Sequence, residues 1–532
     1  MRTVRIDILR LLVAFLVILC GACGGDAIQA FRQGAGKPLV ILYDNDVHCA
    51  TEGYVALSRL REAISDTAWV AVTSSGDFLQ GGVAGAVSRG QYIADIMSAV
   101  GYDAVTLGNH EFDYGIPRMK QLIRSAALPV TCVNLHDIEG DSTVYAPYIM
   151  KKYGDKRIAF VGVVTPSTLY SEAYAFYSDG DSLRYDLCDR NVYEKVQQAV
   201  DAARKEGADY VVVLSHLGEE ATPQNVDSHG LVAATTGIDA VLDGHTHSVV
   251  ECCKVRNGEG KMIPVTQTGT KCANIGKLHI SVEGKVIARL IPSTAFPPAD
   301  EGVRDKVQQV VDSVKTMMSA VTERRIGYTP FPVEILDSMG RQRVRYAETN
   351  AGDIVTDALR AYTGADMAIV NGGNIRSGIV TGEITVGDVI EMLPYSNPVA
   401  VVEVTGKELQ ELLSVCCQEV PKASGDFPQV SGMRFSLGDG LKKEVSDLSV
   451  LDTLSGDYVP IDITKRYTLA TIEYAITGGG LHGRLRNVPC MKDYDVTDTD
   501  VVIWFLEEVL HGTLPLRYAT VQGRINNKSV IY

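Results

Sequence analysis

Beyond residue 23 the sequence contains no C-x-x-C pair and no regular cysteine spacing, and the whole of it shows no internal repeat and no low-complexity tract. Beyond residue 19 it also lacks any apolar run of the roughly 20 residues that a bilayer-spanning helix needs. Nothing in the cysteine pattern reads as a disulfide framework, since setting aside Cys20 and Cys23 leaves nine, an odd number. The want of repeats excludes a solenoid or array. Basic residues are in the minority, 50 against 65 acidic ones, for a formal charge of −15. Such acidity argues against a nucleic-acid backbone as the general partner. An anionic small ligand would therefore need local positive charge, from arginines or metal ions. What is there is ordinary globular composition, 46% hydrophobic and 22% charged, over 532 residues. That length is too great for one core, so two or more domains are expected.

The first 22 residues read as an export signal. Arg2, Arg5 and Arg10 precede the apolar run 11–19, and the small residues Gly21 and Ala22 follow. Together with Asp7 the leader carries +2, so the remainder stands at −17. Cys20-Gly21-Ala22-Cys23 resembles a bacterial lipoprotein processing site with Cys23 as the lipidated first mature residue, although Cys20 stands where such sites usually carry leucine. Plain secretory cleavage nearby is the alternative. The expected location is the periplasm, outer membrane or cell surface, with a lipid anchor. Residues 23–37 form a polar tether. The neighbouring pairs Cys252/Cys253 and Cys416/Cys417 read as small buried residues.

Several short apolar runs end in polar, chemically able residues. Run 39–43 leads to Asp44-Asn45-Asp46-Val47-His48, where alternation on an extended backbone would aim Asp46 and His48 at one point. Run 69–72 ends in Ser74-Ser75-Gly76-Asp77, followed by glycines 81, 82, 85 and 90 in an expected loop. Residues 91–100 have helical periodicity. Run 104–107 delivers Gly108-Asn109-His110-Glu111, then Phe112-Asp113-Tyr114. Run 157–164 is apolar, 192–205 is helical, and 209–214 delivers Ser215-His216. Run 238–242 delivers Asp243-Gly244-His245-Thr246-His247. Strands alternating with helices argue an α/β layered domain, in which sites gather beyond the carboxyl ends of the strands. A proline-rich break at 292–300 precedes a charged helical stretch, 301–325, that reads as a spacer. Strand-rich text with the cluster Asn371-Gly372-Gly373-Asn374-Ile375-Arg376 follows it.

The strand-end donors are Asp46, His48, Asp77, Asn109, His216, His245 and His247. Seven oxygen and nitrogen donors exceed the needs of one tetrahedral ion and suit two divalent ions, zinc or manganese for instance, with Asp77 as the bridging carboxylate. A single histidine is usually a satisfied or surface imidazole, but five of the ten here (48, 110, 216, 245 and 247) stand at strand ends. His136, His229, His279 and His511 lack that context. Two close metals fit in-line displacement at phosphorus. His110 lies beside a donor and three residues before Asp113, so a carboxylate-oriented imidazolium can steady the transition state or the leaving group. Asp113 also reads as a helix-cap carboxylate. Cys49, beside His48, reads as a space-filling residue rather than a further ligand.

Asp46-x-His48, Gly76-Asp77, Gly108-Asn109-His110-Glu111, His216 and Gly244-His245-x-His247 resemble the calcineurin-like metallophosphatase signature. The extension to Phe112-Asp113-Tyr114-Gly115 is similar to that of the 5′-nucleotidase family, which also includes UDP-sugar diphosphatases and 2′,3′-cyclic phosphodiesterases. The resemblance implies one metal at Asp46, His48, Asp77 and His247, another at Asp77, Asn109, His216 and His245, and a catalytic dyad of His110 and Asp113. It implies an N-terminal α/β/β/α sandwich over 38–299, a linker helix over 300–326 and an α+β nucleotide-binding domain over 327–532. In that domain Arg345 and Arg376 match positions that hold the anionic part of a nucleotide. Asn371 and Asn397 match polar contacts, and Tyr395 matches a base-stacking aromatic. By residue type alone, Tyr395 reads equally as core packing and the two arginines as structural ion pairs. Thr477-Gly478-Gly479-Gly480-Leu481-His482 departs from the family's Gly-Gly-Asp-Gly-aromatic pattern: Gly480 stands at the aspartate and His482 at the aromatic, where an imidazole offers less stacking area.

The expected activity is hydrolysis of 5′-nucleotides to nucleoside and phosphate. UDP-sugars and 2′,3′-cyclic nucleotides are alternative substrates for the same centre, and a thiosulfate ester is a remoter one. A surface binding protein without turnover is the alternative of another class. The complete donor set argues against it, and metal content discriminates the two.

Overall fold

The computed structural model describes residues 36–177, 182–188, 191–219, 226–297, 305–438, 443–486 and 488–527. The expected leader, its cleavage site and Cys23 lie outside the described residues. Among those described, no helix is long and apolar enough to cross a membrane.

Two sheets stack face to face in the first domain. One has the order Val286–Pro292, Asn274–Ile280, Leu39–Asp44, Trp69–Ser74, Ala104–Val105. The other has Val249–Arg256, Met262–Thr268, Ala240–Leu242, Tyr210–His216, Lys156–Val164, Tyr148–Tyr153. Strand Leu39–Asp44 shows why the layers form, because side chains alternate across a strand and here both faces are apolar. Leu39, Ile41 and Tyr43 pack on Phe160, Val212, Leu214 and Leu242 of the facing sheet. Val40 and Leu42 pack instead on Tyr54, Leu57, Ile93 and Met97 of helices Thr51–Ser65 and Gln91–Val100. The far face of the second sheet is covered by helices Val192–Lys205 and Ser228–Ala234 through Val196, Val200 and Leu231. The result is the α/β/β/α sandwich. Within it, Leu39–Asp44, Trp69–Ser74 and Ala104–Val105 run parallel, as do Lys156–Val164, Tyr210–His216 and Ala240–Leu242. Each parallel set brings its carboxyl ends to one edge.

The second domain is built on a five-stranded sheet in the order Pro428–Ser431, Met367–Asn371, Arg466–Ile472, Pro398–Thr405, Cys490–Thr497, with a four-stranded sheet beside it. Four of its helices start on threonines whose hydroxyls accept a backbone N–H: Thr349, Thr385, Thr405 and Thr497, the last three in reciprocal capping boxes with Asp388, Glu408 and Asp500.

Three expectations change. The helix expected over 301–325 is described as Lys306–Thr322, because Arg325 already belongs to a strand, Arg325–Thr329, paired with Gly382–Thr385. That helix also buries Val307, Val311 and Val314 in the first domain's core, while its end at Thr322 meets Gly387 of the second domain, so it packs against both. The glycine loop contains a short helix, Val83–Ser88. Its glycines serve close packing: a Cβ on Gly81 would sit 2.4 Å from His48 Nδ1, and one on Gly85 would sit 2.6 Å from Cys49 Sγ. Cys416 and Cys417 are buried as expected, but Cys252 is exposed and Cys253 only half-buried, because their strand lies at a sheet edge.

Candidate active site

The donors meet where the parallel strands end, but not by alternation along extended backbone. Strand Leu39–Asp44 stops before Asp46, and Asp46 (φ 49°), His48 (φ 44°), Asp77 (φ 58°), His245 (φ 82°) and His247 (φ 56°) all adopt left-handed conformations. Non-glycine residues avoid that region, and five such residues at one place mark a site whose surroundings hold them there. The tight turns aim the side chains inward.

Asp46, His48, Asp77 and His247 each bring a donor atom within 4.8 Å of the others. His48 Nε2 lies 3.0 Å from His247 Nε2 and 3.7 Å from Asp77 Oδ2, and His247 Nε2 lies 3.4 Å from Asp46 Oδ1. Donors bonded to one ion at about 2.1 Å stand roughly 2.9–3.4 Å apart, so this spacing fits a shared divalent cation. His216 Nε2 stands 3.3 Å from the same Asp77 Oδ2, and His245 Nδ1 stands 3.1 Å from Asn109 Oδ1. Two ring orientations are set from behind. His48 Nδ1 donates to Gln80 O at 2.9 Å and His216 Nδ1 to Ser75 O at 2.7 Å, which leaves both Nε2 lone pairs facing the cluster. His216 Nε2 is buried without a well-formed hydrogen bond.

The electrostatics agree. Burial lowers His48 to about 4, and burial with the nearby His216 lowers His245 to about 4, so both are neutral and ligand-competent at pH 7. Burial opposes charge on His216 too, but Asp77 and Asp46 raise it to about 10. Burial also works against the two carboxylates, yet His216 and its neighbours hold both below the usual range. The positive charge that this proton lends them is what a divalent cation would supply. The group Asp46, His48, Asp77 and His247 fits a divalent cation.

Glu111 organises the loops beneath. It is completely buried; Oε2 accepts from Asp77 N (2.7 Å) and Gly108 N (2.6 Å), and Oε1 from Phe78 N (2.8 Å) and Leu79 N (3.0 Å). One carboxylate thus ties the Asp77 turn to the Asn109 turn. Burial and the Asp77 charge push it up to about 7. Sequence reasoning placed Glu111 within the motif but gave it no task. Asn45 was likewise missed: its amide spans Asp46 Oδ2 (2.6 Å) and Gly269 O (2.9 Å).

His110 Nδ1 donates to Asp113 Oδ2 at 2.9 Å. Burial opposes its charge, but Asp113 and Asp77 raise it well above the usual imidazole range. A cavity of about 310 Å³ opens at this pair and runs into the second domain, where Arg345, Asn371, Arg376, Tyr395 and Asn397 line it. Tyr395 stacks on His110, with ring centroids 5.8 Å apart and an interplanar angle of 18°. Gln80 Nε2 donates to Pro394 O at 2.9 Å across the same junction. Burial and the facing Arg376 lower the Arg345 guanidinium, whose Nε is buried without a partner, as is Asn371 Oδ1. Asn397 donates to Asn374, and Asn374 to Asp498, each at 2.8 Å. His482 does not line this cavity. Leu481 and His482 are left-handed (φ 59° and 53°), and the imidazole turns to Asp426 at 3.5 Å. From the same loop Gly480 lines the wall, with Tyr474 nearby. Glu172, Asp426 and Tyr474 also line the cavity and carried no local sequence signal.

Residues 325–483 match the family "5′-nucleotidase, C-terminal domain", and residues 70–263 match "Bacterial capsule synthesis protein PGA_cap". The chain is 26% identical over 531 residues to the trifunctional nucleotide phosphoesterase protein YfkN of Bacillus subtilis, covering 92% of this chain but only 35% of that relative's length. It is 23% identical over 546 residues to protein UshA of Escherichia coli, covering 93% of this chain and 96% of UshA. Among solved structures, a 5′-nucleotidase precursor from Thermus thermophilus superposes with a TM-score of 0.71 at 24% identity, over 93% of this chain and all of that one. The sulfate thiohydrolase SoxB of the same organism shares the fold, with a TM-score of 0.64 at 16% identity over 93% of this chain and 98% of that one.

Proposed function

The chain belongs to the 5′-nucleotidase family, and on that premise we propose that it is a metal-dependent phosphoric ester hydrolase that releases phosphate from 5′-nucleotides. One observation carries the reading: a single cavity joins the His110–Asp113 pair of the first domain to Arg345, Arg376 and Tyr395 of the second. Asp46, His48, Asp77 and His247 would hold one divalent cation, and Asp77, Asn109, His216 and His245 a second. Such ions supply Lewis-acid charge to a phosphoryl group and ease ionisation of water.

The protein's own residues do the rest. Asp113 fixes the tautomer and tilt of His110 through Nδ1, leaving Nε2 to donate to a phosphoryl or leaving-group oxygen. The dyad carries a proton at neutral pH, as that role requires. Arg345 and Arg376 face each other without a carboxylate partner among the described residues, an arrangement that favours an anion between them. Asn371 offers an unused buried acceptor, Asn397 a further polar group, and Tyr395 a stacking face. Closure over the cavity excludes water from the reacting centre. The leader and Cys23 extend the proposal to export and lipid anchoring at the periplasmic or cell surface.

Phosphate release from AMP, UDP-glucose, a 2′,3′-cyclic nucleotide and glycerol phosphate, with manganese or zinc and with chelator, tests the reading. AMP should be turned over fastest, and chelation should abolish the activity reversibly. Equal rates on glycerol phosphate, or activity untouched by chelator, would overturn it.

A further inference from the structure

One buried carboxyl group in the cavity has no part in that scheme. Glu172 follows the short helix Thr168–Ser171, its N–H donating to Thr168 O at 2.9 Å, and it is 6% exposed. It lines the cavity beside His110 and Asp113, and the three side chains bring their polar atoms within 4.8 Å of one another. Glu172 and Asp113 thus approach carboxyl to carboxyl, both largely shielded from water. Two carboxyl groups this close and this little exposed resist ionising together and favour sharing a proton. Asp113 has the His110 ring at 2.9 Å, which favours its charged form, so the proton falls to Glu172.

We propose that Glu172 is a positioning residue for the dyad, its neutral carboxyl donating O–H to the Asp113 carboxylate and so holding that carboxylate as the acceptor of His110 Nδ1–H. The inference rests on the reaction proposed above. The surroundings support it: burial and Asp113 raise Glu172 well above the ordinary carboxyl range, with only His110 acting the other way. Asp77 from the neighbouring turn and Tyr474 from the second domain also face it, and Arg345 and Arg376 line the same cavity. With Asp113 pinned on two sides, the imidazole cannot swing away from the cavity when substrate leaves.

The amide of Glu172→Gln can still donate to Asp113, whereas Glu172→Met fills the same space without a donor and Glu172→Ala removes both. On AMP with manganese, Glu172→Gln should keep kcat within about threefold, while Glu172→Met and Glu172→Ala lose roughly 10–100-fold in kcat with KM nearly unchanged. Histidine-selective 15N labelling gives a second readout, independent of turnover. The His110 Nδ1–H resonance should persist in the wild type and in Glu172→Gln and vanish by exchange in Glu172→Met. If Gln is as damaging as Met, a charged Glu172 is required and the proposal fails. It fails equally if only KM moves, or if Met leaves both kcat and the resonance unchanged. A wild type inactive on every ester in the panel would instead refute the proposed reaction, and the resonance would still decide the role of Glu172.

Discussion

Replacing Glu111 tests the physical claim that one buried carboxylate sets the metal loops. Glu111→Ala strips partners from four buried N–H groups, those of Asp77, Phe78, Leu79 and Gly108. A buried donor left unpaired costs about 1–3 kcal/mol, so the four together amount to roughly 4–12 kcal/mol. That is comparable with the whole stability of a domain, about 5–15 kcal/mol. Glu111→Gln should fall between. Its single carbonyl oxygen still serves two of the four donors, while its NH2 confronts the other two, for roughly half the cost. Urea denaturation reads the effect directly: at a slope of about 1–3 kcal/mol per molar, even 4 kcal/mol moves the midpoint by more than about 1 M. Because Asp77 N is among the orphaned donors, the same variants should bind manganese more weakly by equilibrium dialysis. A Glu111→Ala protein with the wild-type midpoint and wild-type metal content would refute the reasoning, since the four short contacts would then carry no net energy.

Three further outcomes follow from the geometry. Asp77→Asn removes the carboxylate whose Oδ2 both His48 and His216 approach, and it should cut turnover at least about a hundredfold along with bound metal; full metal occupancy in the variant would count against a bridging role. Arg376→Ala should raise KM for AMP by about tenfold or more with kcat within a few-fold, because it removes binding rather than chemistry; a loss confined to kcat would contradict that assignment. Asp498 gives a pH prediction: burial pushes its carboxyl up to about 7, while in the unfolded chain it titrates near 3.8. The folded state therefore keeps a proton that the unfolded chain releases, so this stabilisation is complete below about pH 4, declines as pH rises to about 7, and is level above. At about 1.4 kcal/mol per unit over some three units, the decline is at most about 4 kcal/mol. Asp498→Asn keeps a partner for Asn374 and should lose less stability than the wild type between pH 4 and pH 8 in urea titrations; parallel curves would sink the assignment.

By itself the sequence determined which chemistry the chain can attempt. Ligand-type side chains at the ends of apolar runs are a one-dimensional fact, and strand and helix periods such as those of 157–164, 91–100 and 192–205 are local properties of neighbouring residues. The α/β/β/α layering follows from strands apolar on both faces. Tertiary structure decided what the chemistry is aimed at and what holds it in place. The left-handed turns at Asp46, His48, Asp77, His245 and His247 contradict the extended alternation inferred from spacing, because backbone strain at a site is imposed by the surrounding fold and leaves no trace in residue type. Glu111 stood in plain sight, yet its four donors come from two separate loops. Glu172 lies 59 residues from Asp113 and Tyr395 lies 285 residues from His110, so no local pattern announces either contact. Likewise His482 occupies the aromatic's place in the sequence but does not line the cavity, since a side chain's direction depends on the dihedral angles of its own turn and on the partner, Asp426, that the fold sets beside it.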